Sequence, residues 1–168
     1  MKNDIIVLLA VSSLSMSGGA ALAEQHMSDH MEHKHVSQNV AESVPVDIKK
    51  HANCVHCGMS RKKFSYSRMV ATYVDGTSVG GCSIHCLSTE LKKNMGKTVT
   101  LLEVADLNTG KLIHAKKAFW VIGGDKQGVM TKVPKWAFAQ KSSAVEFIKK
   151  NGGKLATFRE ALAMAENE

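Results

Sequence analysis

The chain has 168 residues, of which 44% are hydrophobic and 22% charged, and its formal net charge is +7. This composition is that of one ordinary folded domain with a short tail, and it excludes a fibrous or wholly disordered protein. Only 5% of the residues are aromatic, so the basic charge does not indicate nucleic-acid binding. An acidic protein partner or a membrane surface is the better expectation.

The first 23 residues predict a Sec signal peptide. Lys2 precedes an apolar run over residues 5–11, and Ala21 and Ala23 form the Ala-x-Ala step that signal peptidase recognises. The apolar run is too short to cross a bilayer as a helix. We therefore expect cleavage after Ala23 and a periplasmic protein. Because the first cysteine is Cys54, no lipid anchor is expected.

Residues 24–46 lack apolar periodicity and predict a disordered tail. They carry four acidic residues and one lysine, so the positive charge lies in residues 47–168. Imidazole binds Cu(II), Ni(II) or Zn(II), and thioether sulfur adds Cu(I), so a segment rich in both is typical of metal capture. The alternative is a solvated leader with incidental histidines. The candidate ligands in the tail are His26, Met27, His30, Met31, His33 and His35.

Residues 47–168 predict a small α+β domain. Two β-forming ranges, 69–74 and 77–80, flank an Asp-Gly turn and predict a hairpin. Apolar residues at helical spacing then predict a helix over residues 84–94, with lysines in its last turn.

The second half of the domain repeats this order of elements. Both predicted helices end in Lys-Lys-Asn, and each follows a pair of strands, which indicates a duplicated ββα unit. Trp120, Trp136 and Phe138, with Phe119, are expected in the core. The further elements are strands at 98–107, 112–113, 118–122 and 154–158, a helix capped by Ser142-Ser143 and stopped by Gly152-Gly153, and a terminal helix at 159–166.

The strongest local motif is Cys-x-x-Cys-Gly-Met, formed by Cys54, Cys57, Gly58 and Met59. Thiolate and thioether sulfur select Cu(I) among biological metals, because a polarisable ligand suits a large d10 cation. Zinc takes cysteine and histidine but rarely a thioether. Met59 therefore favours copper, and Cys57 and Met59 are the candidate copper ligands.

A second motif, Cys-Ser-Ile-His-Cys, begins at Cys82 and ends at Cys86 on the start of the predicted helix. The hairpin before it is expected to return this helix start to the first motif, so Cys54, Cys57, Cys82 and Cys86 can share one site. The spacing resembles treble-clef zinc knuckles, which makes a structural Zn(II) site the alternative to copper.

Disulfides are a further alternative, since the periplasm is oxidising. Cys54 can pair with Cys57 and Cys82 with Cys86, or one bond can join the two motifs. A thioredoxin-like enzyme is not favoured, because the Cys-x-x-Cys motif does not open a helix in a βαβ unit. The sequence has no arrangement typical of hydrolytic catalysis, and we expect no enzymatic activity.

The glycine-rich loop over residues 123–130 lacks the Gly-Lys-Ser/Thr ending of a phosphate loop, so nucleotide binding is not expected. By composition alone its Met130 is typical of core filling. His85 and His114 are expected to be surface or hydrogen-bonded histidines.

The order of motifs resembles the NosL family, copper-binding accessory proteins of nitrous oxide reductase maturation. The resemblance implies a fold of two ββα units, and it implies Cu(I) held by Cys57, Met59 and Met130, which match the family's Cys-x-Met and Gly-x-Met segments. The matching segments are Cys-Gly-Met at 57–59, Lys-Ala-Phe-Trp-Val-Ile-Gly at 117–123, Gly-Val-Met at 128–130, Ala-Val-Glu-Phe at 144–147 and Gly-Lys at 153–154.

The resemblance also implies delivery of Cu(I) toward a cuproenzyme such as nitrous oxide reductase, with a membrane copper transporter complex as partner. Two departures point to a separate branch of the family. Typical members have an N-terminal lipid-anchored cysteine, and they do not generally require Cys82 and Cys86. The sequence thus predicts a periplasmic Cu(I)-binding protein or chaperone whose client can differ from that of typical members.

Overall fold

The computed structural model describes residues 43–168, so the predicted signal peptide and nearly all of the predicted tail lie outside it. Among the described residues, no helix combines the length and the apolar character that crossing a bilayer requires. The elements, in chain order, are α1 (Val46–Lys50), β1 (Met69–Tyr73), β2 (Ser78–Gly81), α2 (Ile84–Lys93), β3 (Val99–Ala105), β4 (Leu112–His114), β5 (Phe119–Ile122), β6 (Lys135–Phe138), α3 (Lys141–Asn151), β7 (Lys154–Ala156) and α4 (Phe158–Glu166).

Two antiparallel sheets organise the chain, with strand orders β2-β1-β3-β4 and β6-β5-β7. Each contains the same unit: a hairpin, then a helix, then a third strand that pairs with the free edge of the first strand. The predicted α+β class and the predicted duplication are both confirmed. The repeated unit is ββαβ, β1-β2-α2-β3 and β5-β6-α3-β7, because the strand after each helix belongs to it.

One apolar core joins the two units. Met69 and Leu102 from the first sheet and Trp120 and Ile122 from the second pack in a single buried cluster, to which α4 contributes Ala161. Burial of this apolar surface is the main stabilising contribution to the fold.

The predicted aromatic core is confirmed for three of its four residues. Trp120, Trp136 and Phe138 are buried, whereas Phe119 is half-buried. The indole Nε1 of Trp120 donates to the carbonyl of Ala115 at 2.9 Å, which satisfies its polar atom inside the core.

One predicted helix start and one predicted strand end are wrong. The helix α3 begins at Lys141 after Gln140, without a side-chain cap, so the predicted capping residues Ser142 and Ser143 lie inside its first turn. The strand β7 stops at Ala156 rather than 158 because the Thr157 side chain caps α4, completing a capping box with Glu160. The predicted stop at Gly152 is confirmed, with a positive φ of 73°.

Candidate metal centre

The four cysteines of the chain converge on one site. The Sγ atoms of Cys54, Cys57, Cys82 and Cys86 all lie within 4.8 Å of one another. All four are free thiols in this structure, so none of the predicted disulfides is formed. Cys54, Cys82 and Cys86 are buried, and Cys57 is half-buried, which leaves one thiol facing the surface.

The spacing of the thiols suits a metal ion bound by several of them. The Sγ atom of Cys82 lies 3.5 Å from that of Cys57 and 3.6 Å from that of Cys86. In a tetrahedral site with metal–sulfur bonds of about 2.3 Å, neighbouring sulfurs are roughly 3.8 Å apart. The donor set is entirely soft sulfur, which fits Cu(I) or Zn(II) and not a hard cation such as Mg²⁺.

A tight loop presents the first two thiols. The amide of Cys54 donates to the carbonyl of Met59 at 2.8 Å, and the amide of Gly58 donates to the carbonyl of Cys54 at 3.0 Å. Gly58 has a φ of 74°, a left-handed conformation that glycine adopts without strain. The amide of Val55 donates to the carbonyl of Gly80 at 2.9 Å. This bond ties the loop to β2 and brings it beside Cys82.

The start of α2 presents the other two thiols. Cys82 follows β2 directly, and Ser83 caps the helix by accepting a hydrogen bond from the amide of Cys86. Ser67 donates from its hydroxyl to the carbonyl of Cys82 at 2.8 Å. The predicted return of the helix start to the first loop is therefore confirmed.

Arg61 holds the two halves of the site together, a role that the sequence motifs do not predict. Its side chain is fully buried. All five of its N–H groups have acceptors, among them the carbonyl of Gly81 at 3.2 Å and the carbonyl of His51 at 2.7 Å. One side chain thus joins the segments before and after the Cys-x-x-Cys loop to the residue preceding Cys82.

The side chains of Arg61 and Arg68 share one carboxylate. Asp47 Oδ2 accepts from Arg61 at 2.9 Å and from Arg68 at 2.8 Å, and its side chain is 13% exposed. Burial of the Asp47 carboxyl raises its pKa, but hydrogen bonds and positive charge from Arg68 and Arg61 outweigh burial, and the pKa lies below its ordinary value. This network connects helix α1, through Asp47, to Arg61 and Arg68, the two arginines that follow the cysteine loop.

Gly80 is required because the Arg61 guanidinium occupies the space of a side chain. A Cβ atom at position 80 would lie 2.7 Å from Arg61 Cζ and from His51 Cβ. Since five hydrogen bonds fix this guanidinium, we expect Gly80→Ala to lower the free energy of unfolding by about 1–3 kcal/mol. Chemical denaturation measures this change. Gly96→Ala is the matched control, as its Cβ would meet nothing within 4 Å, and equal stability of both variants would contradict the prediction.

Hydrogen bonds among the thiols shift their acidity in opposite directions. Interaction with the thiols of Cys82 and Cys86 lowers the pKa of Cys54. Interaction with Cys54 in turn raises the pKa of Cys82 to about 12 and also raises the pKa of Cys86. Binding of a metal must therefore release protons.

Met59 follows Cys57 by two residues, whereas Met130 is distant in the sequence, and neither methionine belongs to the cluster packed around the cysteines. Met59 is half-buried. Met130 is 44% exposed, has a φ of 52°, and follows Val129, which packs against the buried cysteines. Their role as ligands stays a prediction. The six predicted ligands of the tail, His26, Met27, His30, Met31, His33 and His35, lie outside the described residues.

His85 differs from the expectation for it. It is half-buried, and its Nδ1 is buried without a hydrogen-bond partner, 3.9 Å from Glu168 Oε2. His85 is half-buried rather than exposed because it lies on the first turn of α2, next to the buried Cys86 in the sequence.

The fold and the four-thiol site define a small α+β protein with a candidate sulfur-ligated metal centre. The chain belongs to the NosL family, whose model matches residues 45–164. It is similar in fold to the crystal structure of the copper chaperone NosL from Shewanella denitrificans, with 24% identity over 64% of this chain and 87% of that chain and a TM-score of 0.50. None of the curated proteins matches the sequence.

Proposed function

We propose that this protein is an exported Cu(I)-binding chaperone whose copper centre is built on the four converging thiols. The observation that carries the proposal is the placement of four free cysteines within 4.8 Å of one another, in a member of the NosL family. Thiolates favour Cu(I), and the related structure is that of a copper chaperone.

The half-buried Cys57 suits transfer rather than permanent storage. A ligand at the surface is open to attack by an incoming thiol or thioether, whereas the three buried cysteines are shielded. We propose that Met59 and Met130 supply thioether sulfur as the ion leaves. This is supported by the position of Met59 two residues after Cys57 and by the packing of Val129, which precedes Met130, against the buried cysteines. The His/Met-rich tail would gather copper ahead of this step.

We propose an apo cuproenzyme or a membrane copper transporter complex as the receiving partner, in the periplasm. Nitrous oxide reductase is the client that family membership favours. The extra thiols of Cys82 and Cys86 would distinguish this branch from members that use fewer cysteines. The site offers a cluster of four sulfur ligands, so the proposed role is binding and delivery.

A Cu(I) titration tests the site. The reduced mature protein is titrated against a competing chromophoric Cu(I) chelator, and Cys57→Ser combined with Met59→Leu is expected to weaken binding at least about tenfold, equivalent to about 1.4 kcal/mol. Loss of a charged sulfur ligand is the physical reason.

Met95→Leu is the matched control, because Met95 is 85% exposed and lies just after the C-terminal end of α2. An affinity unchanged by the double substitution would show that Cys57 and Met59 are not ligands. The single substitution Met130→Leu then measures the contribution of the third predicted ligand.

A structural Zn(II) site is the second candidate, favoured by the near-tetrahedral sulfur spacing of 3.5 and 3.6 Å. A zinc site with four cysteines is closed and stabilises its domain. Metal analysis of protein isolated from the periplasm separates the two functions. Stoichiometric zinc that resists exchange with Cu(I) would establish the structural role and contradict the chaperone role.

A further inference from the structure

The thiol centre lies beneath a surface with an apolar middle and a positively charged rim. We call it the thiol face, and it consists of Val55, Cys57 and Met130 in the middle and Lys63, Lys126 and Lys132 around them. Val55 is 45% exposed and Met130 is 44% exposed. Apolar side chains exposed in the two segments around a half-buried thiol are typical of a surface that another protein covers.

Two segments form this face, the cysteine loop and the 123–134 loop, and several contacts hold them side by side. Val129 packs against the buried cysteines. The ring of His56 lies 6.5 Å from that of His85, whose Nδ1 is 3.9 Å from Glu168 Oε2. Glu168 in turn accepts hydrogen bonds from Thr131 and from the amide of Val133. Met130 and Lys132 therefore border the cysteine loop.

Two of the three rim lysines lie over aromatic rings that contact the cysteine cluster directly or through one further ring. Lys63 Nζ lies 5.7 Å from the ring centroid of Phe64, which contacts the cysteine cluster. Lys126 Nζ lies 5.6 Å from the ring of Trp136, and Tyr66 bridges from that ring, at 6.0 Å, to the cysteine cluster. Cation–π contacts of this kind keep the ammonium groups close to the face rather than extended into solvent.

The thiol face has a net positive charge even when its acidic residues are included. In segments 54–66 and 123–134 the one carboxylate is Asp125. Glu168 also lies at this edge, but it pairs with Lys135 Nζ at 2.9 Å, and the Lys135 side chain is fully buried. Asp125 adjoins Lys126, and Glu146 lines the same surface pocket as Lys126. Among the described residues, however, none of Lys63, Lys126 and Lys132 forms a salt bridge, and the three lysines outnumber these two acids.

We propose that the thiol face is the docking surface for a copper-receiving protein whose own copper site is ringed by carboxylates. The inference rests on the proposed function and names the kind of partner. An apolar middle allows close approach of the two metal sites, and the lysine rim attracts an acidic surface while it repels a basic one. Steering by such a rim speeds encounter and weakens as salt is added.

The first test measures Cu(I) transfer to two chelators that share one ring system, anionic bathocuproine disulfonate and neutral neocuproine. The Cu(I)-loaded mature protein is compared with Lys63→Glu/Lys126→Glu/Lys132→Glu by stopped-flow absorbance. At low salt the triple variant is expected to transfer at least about threefold more slowly to the anionic chelator, with the difference lost in high salt and transfer to the neutral chelator unchanged.

The matched control is Lys93→Glu/Lys116→Glu/Lys117→Glu, which reverses three exposed charges outside the thiol face. It has the same net charge as the test variant and is expected to behave as the wild type. Equal slowing in both triple variants would assign the effect to net charge, and no slowing in either would remove the electrostatic role. Either result overturns the proposal.

The second test asks what class of partner the face binds, and it needs no copper. Poly-L-glutamate, as a model acidic polypeptide, is expected to slow alkylation of Cys57 by iodoacetamide in the wild type but not in the thiol-face variant. Protection by anionic phosphatidylglycerol vesicles and not by poly-L-glutamate would identify a membrane surface and overturn the proposal. If Cu(I) fails to load but this protection is seen, the copper function fails while the docking surface stands.

Discussion

Replacing Asp47 with asparagine is expected to lower the free energy of unfolding by about 3–5 kcal/mol, because it leaves two buried guanidinium groups without their shared negative charge. The side chains of Arg61 and Arg68 are 0% and 2% exposed, so water cannot replace the lost carboxylate. Urea or guanidinium denaturation of the metal-free protein, monitored by tryptophan fluorescence, measures the change.

The control for this substitution is Asp75→Asn. Asp75 pairs with Lys97 at 3.9 Å, but both side chains are about half exposed, and the stability is expected to stay nearly unchanged. Comparable losses in the two variants would show that the Asp47 network is no stronger than a surface ion pair.

The pH dependence follows from the lowered pKa of Asp47. A carboxyl whose pKa is lower in the folded state stabilises the protein above its unfolded value, 3.8, and loses that contribution as the pH falls through the folded pKa. The difference in stability between the wild type and Asp47→Asn should therefore be full at neutral pH and shrink on acidification below about pH 4. A constant difference down to pH 2 would contradict the assignment.

Binding of Cu(I) is expected to raise the melting temperature of the wild type by roughly 10 °C or more, and Cys82→Ser is expected to abolish most of this rise. A ligand at about 1,000 times its dissociation constant adds about 4 kcal/mol of stability to a folded state that alone binds it. For a domain of this size such a gain corresponds to a shift of this order.

The comparison is made within each variant, with and without metal, since a buried serine at position 82 also lowers the stability of the metal-free protein. Calorimetry under reducing, anaerobic conditions gives both values. Cys82 is chosen because its Sγ is within 3.6 Å of two other thiols. A metal-dependent rise of equal size in Cys82→Ser would place the ion elsewhere, with the His/Met-rich tail as the first candidate.

The sequence predicted the parts of the fold that depend on local patterns. The β1–β2 hairpin and α2 follow from an Asp-Gly turn and from apolar residues at helical spacing, and both were found. Because a hairpin returns the chain to its starting point, the meeting of the two cysteine motifs was predicted as well. This step from local pattern to site geometry required no tertiary information.

The parts that were missed depend on distant residues. The four residues of β6 include Lys135, whose buried ammonium group pairs with Glu168, 33 positions later in the chain. Arg61 stands in an Arg-Lys-Lys run that is typical of a solvated surface, and its burial follows from Asp47, fourteen positions earlier. Helix α1 has five residues, too few for a periodic signal.

All four thiols belong to the first ββαβ unit and the loop before it, whereas the second unit contributes Val129 and the adjoining 123–134 loop. The two repeated units thus contribute unequally: the first, with the loop before it, carries all four thiols, and the second carries the loop that includes Val129 and the predicted ligand Met130. On the proposed function, substitutions in the 123–134 loop outside Met130 would alter how fast the metal is exchanged, and with which partner, while all proposed sulfur ligands stay in place. The receiving partner could then change during evolution while the affinity for the ion is kept.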